Sequence, residues 1–122
     1  MTLQELYTSI GGDFEQATRV LRVEKLIDKH IRKFADNPIF ERLFAATESM
    51  DPTELFESTH AIKGVCSNLG LTKLAALASD VTEEYRPGNA RKLSDEEVKA
   101  KLAALKEGYE KTIEGIKAYT EA

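Results

Sequence analysis

The 122-residue chain has the length of one domain, enough to bury a core and too little for two. Hydrophobic residues make up 42% and charged residues 31%, with few Gly and Pro and no Trp, a globular profile rather than a disordered or fibrous one. The net charge of -4 and the scattered Lys and Arg leave no footprint for a nucleic-acid backbone, so no nucleic-acid partner is expected. The start "MTLQELYTSIGG" lacks a basic n-region and an apolar h-region, and no apolar run approaches the roughly 18 residues of a membrane span. A cytoplasmic protein without membrane association is expected. One cysteine, Cys66, excludes an internal disulfide, and two histidines with one cysteine do not make a structural zinc site.

Apolar residues recur at helical spacing along nearly the whole chain and alternating β-branched runs are missing, which predicts an all-α fold with short connections. A short first helix covers roughly 2–9. Gly11 and Gly12 suit its C-terminal cap, and Asp13 caps the next helical stretch, which reaches about Phe34. There Val20, Val23, Ile27, His30, Ile31 and Phe34 follow the spacing of a core-facing stripe, with "VLRVE" as a candidate break. His30 reads as a core or boundary histidine. "ADNP" interrupts the pattern, since Pro38 disfavours helical geometry at Asn37 while fitting the first turn of a helix to about Ser49.

"DPTELFE" is a start signal, with Asp51 as N-cap, Pro52 in first position and Glu54 in the capping-box place. This helix ends near Leu69, where Asn68 and Gly70 tolerate left-handed backbone. Thr72 caps a following helix over 73–85, so that the two form a tight hairpin. "YRPGNARKLSDEE" is a loop closing on the capping box Ser94 and Glu97, and a last helix runs to about Tyr119. Its Val98, Leu102, Leu105, Tyr109, Thr112, Ile116 and Tyr119 form the narrow seam of a bundle helix.

The helix over 52–69 carries the candidate chemistry. At 100° per residue, Leu55, Thr59, Ile62, Cys66 and Leu69 form an apolar stripe centred about 140° from His60. His60 therefore faces outward, and Lys63, Gly64 and Ser67 share its face within about 60°. Helical side chains lean toward the N-terminus, so a glycine at i+4 leaves the space beside the ring empty. Mid-helix glycine costs about 0.5–1 kcal/mol relative to alanine, and access to the imidazole is the simplest compensation. Neutral imidazole is a nucleophile toward phosphorus, and the Lys63 ammonium can balance a phosphoryl anion built on it. Phe56, one turn earlier at the edge of this face, is a candidate partner-docking aromatic, with Ser67 or Thr53 as hydroxyl contacts. Cys66 falls on the core side with no cation to activate it.

"HAIKGVCSNLG" resembles the signature of histidine-containing phosphotransfer (HPt) domains. "IGGD", the apolar helix, Pro38, Asp51 and "LTKLAALASDVTEE" extend the resemblance over most of residues 9–85. It implies an antiparallel four-helix bundle with additional short N-terminal helices, here one domain over 1–122. It further implies His60 as phosphoryl acceptor and donor, Lys63 as charge support and Gly64 as the source of steric access. The "VCS" after Gly64 departs mildly from the Ala and Ser residues common in the family.

The implied partners are response-regulator receiver domains and a histidine kinase or hybrid histidine kinase. No stably bound cofactor is expected, Mg²⁺ being brought by the receiver. The chain lacks a phosphate-cradling loop with Lys and Ser/Thr, so a phosphocarrier without its own ATP site is expected, neither kinase nor hydrolase. Two alternatives stand beside the carrier: a helical docking adaptor that is never phosphorylated, and the excised phospho-accepting domain of a chemotaxis-type kinase. Met1 and the lack of a catalytic module favour a free-standing carrier.

Overall fold

A computed structural model describes residues 1–121 as seven helices: α1 (Leu3–Ile10), α2 (Phe14–Leu21), α3 (Glu24–Phe34), α4 (Ile39–Ser49), α5 (Pro52–Asn68), α6 (Thr72–Tyr85) and α7 (Asp95–Glu121). No strand occurs among the described residues, and none of their helices is long and apolar enough to cross a membrane. The all-α class read from the periodicity is the class observed. Helix α5 packs against α2, α4 and α6, while α7 packs on α1, α3 and α6.

Most helix starts follow from local chemistry. Thr2 and Glu5 form a reciprocal capping box on α1, as Ser94 and Glu97 do on α7. Asp13 accepts the Gln16 N–H at the start of α2. Asp51 accepts from the Thr53 and Glu54 N–H groups on α5, with Pro52 in the first turn. The expected box on α5 is half formed, because the Glu54 carboxylate binds Arg42 of α4 instead. Thr72 is inside α6 rather than capping it; Leu71 holds the cap position and makes no side-chain cap bond.

The stretch to Phe34 is two helices, divided within the candidate break "VLRVE". The chain turns at Arg22, whose φ is 70°, and Val23 is extended. Each short helix then has its own inward face: Ala17 on α2, and Ile27, Ile31 and Phe34 on α3. Val20 and Val23, expected in the core, are 40% and 52% exposed. His30 is exposed as well, at the rim of a groove of about 380 Å³ between α3 and the end of α5.

Two turns lock together beneath the bundle. The α5–α6 turn passes through Gly70 at φ +69°, where a Cβ would overlap the Asp13 carbonyl oxygen. Asp13 donates its N–H to the Gly70 carbonyl at 2.7 Å, and the buried Tyr7 hydroxyl donates to the Leu69 carbonyl at 2.7 Å. The α7 seam is buried at Val98, Leu102, Leu105, Thr112 and Ile116, with Tyr109 and Tyr119 half-buried. Tyr109 stacks on Phe40 with ring centroids 4.0 Å apart, beside Phe34. Between α6 and α7, buried Glu84 accepts from Arg91 and from the N–H groups of Lys92 and Leu93, which fastens the connecting loop.

Candidate functional site

Helix α5 is anchored by one side and open on the other. Leu55, Thr59, Ile62 and Cys66 have no exposed surface, and each buried aliphatic side chain is worth about 1.5–3 kcal/mol. Ser58, at the edge of that face, is buried too and donates to the Glu54 carbonyl. Thr59 meets Thr82 of α6 through a 2.9 Å hydroxyl–hydroxyl bond, which fixes the register of the hairpin. Arg42 reaches from α4 to both Glu54 and Glu57, holding the first turns of α5. Burial pushes the Cys66 thiol up to about 12, so it is an unreactive packing residue in neutral water.

On the open side His60 and Gly64 are exposed, and Lys63, Ser67 and Phe56 are half-buried. The angular reading therefore holds for all five. Phe56 stacks on the imidazole with centroids 5.6 Å apart and planes 18° from parallel, so it limits how the His60 ring can turn. Thr53 is exposed in the first turn of α5, about two turns before His60, where its backbone N–H donates to Asp51. Among the described residues no group of three or more His, Cys, Asp or Glu is arranged to hold a metal ion.

The glycines of the helices separate packing from access. On α7, a Cβ at Gly108 would lie 2.7 Å from the Leu74 side chain, and one at Gly115 would overlap Ile10. Both glycines let a neighbouring helix approach. A Cβ at Gly64 would meet nothing within 4 Å. Gly64 has no packing reason to be glycine, and the space it leaves lies beside the imidazole one turn earlier.

Two further residues belong to this surface and were absent from the sequence reading. The Arg86 guanidinium carbon lies 5.4 Å from the centroid of the Phe56 ring, the same ring that stacks on His60. Glu83 accepts from Arg86 at 2.9 Å. Its carboxyl is held below the usual carboxylate range first by that bond, against slight desolvation, with Lys63 adding a further attraction. The signal was present: a hairpin turning near Gly70 sets the end of α6 beside Phe56, just as it sets Thr82 beside Thr59.

Residues 3–112 match the family model described as the Hpt domain, and the chain belongs to that family. Its members carry out histidine phosphotransfer in the phosphorelays of two-component signalling and interact with histidine kinases and response-regulator receivers. No curated protein and no solved structure matches the chain.

Proposed function

We propose that His60 is the phosphoryl carrier, accepting from the phosphoaspartate of a hybrid histidine kinase or receiver and donating to the aspartate of a response-regulator receiver domain. The observation that carries this reading is the exposed His60 beside a mid-helix glycine that no neighbour requires. In acceptance, an unprotonated His60 nitrogen attacks phosphorus. The N–P bond forms as the P–O bond of the aspartyl phosphate breaks, and the bonding pair leaves with the carboxylate while the other ring nitrogen keeps its hydrogen. Donation reverses these events.

The chain supplies position and charge. Phe56 holds the plane of the ring, Gly64 admits the phosphoryl group and its receiver, and the Lys63 ammonium offsets the arriving negative charge. Phe56, Lys63 and Ser67 give the partner an aromatic, a cation and a hydroxyl on one helical face. Mg²⁺ belongs to the receiver in this scheme. Incubation with a phosphorylated receiver domain tests it: acid-labile phosphate appears on the wild-type protein and not on His60→Gln. Undiminished label on His60→Gln, or none on wild type, refutes it.

A further inference from the structure

Glu83 lies in the last turn of α6, where a carboxylate faces the negative end of the helix dipole. It is nevertheless held there closely. Its carboxylate accepts from Arg86 Nε at 3.2 and 3.1 Å, from Arg86 Nη2 at 2.9 Å and from Asn89 Nδ2 at 3.4 Å. Asn89 is positioned by a turn through Gly88 that returns its N–H to the Arg86 carbonyl at 3.0 Å, and its Nδ2 also donates to the Glu83 carbonyl at 3.0 Å. Arg86 lies against the ring that stacks on His60.

We propose that Glu83 is a stand-in anion, which engages Arg86 while His60 is free and yields it to the phosphoryl group once His60 carries it. The proposal rests on His60 being the carrier. A phosphoryl group presents three acceptor oxygens and nearly two negative charges, so a guanidinium favours it over a single carboxylate. Arg86 and Glu83 are positioning residues with opposite effects. Arg86 favours the phosphorylated state. Glu83 opposes it, by occupying the guanidinium beforehand and by repelling the group afterwards, and so favours donation to the receiver. Side-chain exposures of 37% for Arg86 and 49% for Glu83 keep these effects modest and sensitive to salt.

The experiment measures the equilibrium of phosphate between the protein and a receiver domain charged with acetyl phosphate. The forms compared are wild type, Glu83→Gln, Arg86→Ala, Arg86→Lys and the Glu83→Gln/Arg86→Ala pair. Glu83→Gln shifts the equilibrium toward the phosphorylated protein by about two- to fivefold, and Arg86→Ala shifts it the other way by a similar factor. Arg86→Lys recovers part of the loss, and Glu83→Gln has a smaller effect in the Arg86→Ala background. The Arg86 Nε–H resonance of the wild type moves on phosphorylation. Unchanged equilibria for both single variants, or shifts of both in one direction tracking lost thermal stability, overturn the proposal. Label on His60→Gln overturns the carrier reading itself.

Discussion

Replacing Gly64 moves stability and phosphotransfer in opposite directions. A Cβ at this position meets no atom within 4 Å, so Gly64→Ala introduces no clash. It also removes a residue that costs a helix interior about 0.5–1 kcal/mol relative to alanine, and the variant gains about that much. For a domain of this size the gain raises Tm by about 2–6 °C, readable by circular dichroism at 222 nm during heating. A longer side chain leans back over the preceding turn, into the space beside His60. Gly64→Leu keeps the fold and slows acceptance from a phosphorylated receiver, on the order of 10- to 100-fold in a quench-flow assay, because the reacting atoms no longer reach alignment. An alanine variant less stable than wild type would show that an unseen contact requires the glycine. A leucine variant that accepts phosphate at the normal rate would show that the open space has no part in access.

Two further outcomes test the frame that holds the site. Gly70→Ala combines positive φ with overlap against the Asp13 carbonyl, and loses more than about 2 kcal/mol in urea unfolding. The Glu84 carboxyl is pushed up by burial, but bonds from Arg91 and the Leu93 and Lys92 N–H groups outweigh this and hold it below its ordinary 4.5. A carboxyl lowered by folding adds stability that is present above the unfolded pKa and lost as pH falls through the folded one. Glu84→Gln is therefore less stable than wild type at pH 7, and the gap in unfolding free energy narrows below about pH 4.5.

The legible parts of the chain were those where chemistry is local. Asp51–Pro52, Ser94 with Glu97 and Gly70 each satisfy or bend backbone within a few residues, and the corresponding boundaries were read closely. Helix α5 is unbroken, so one angular projection separated Thr59, Ile62 and Cys66 from His60, Lys63 and Gly64 correctly. The same projection failed across 13–34. The turn there is made by Arg22 in left-handed backbone without glycine or asparagine; "VLRVE" marks the break, but a single apolar stripe carried across it mixes the faces of two helices. Val20, Val23 and His30 were misplaced for that reason. Arg86 and Glu83 have a different reason: only the packing of α6 on α5 brings Arg86 to Phe56, and Glu83 joins the surface through Arg86.

The central claim is that His60, of the two histidines, carries the phosphoryl group. After reaction with a phosphorylated receiver, peptide fragmentation by electron transfer under neutral conditions places the phosphate on one residue. The phosphate is expected on His60, with His30 unmodified and no label on the His60→Gln protein. Phosphate found on His30, or on any residue other than His60, would contradict it.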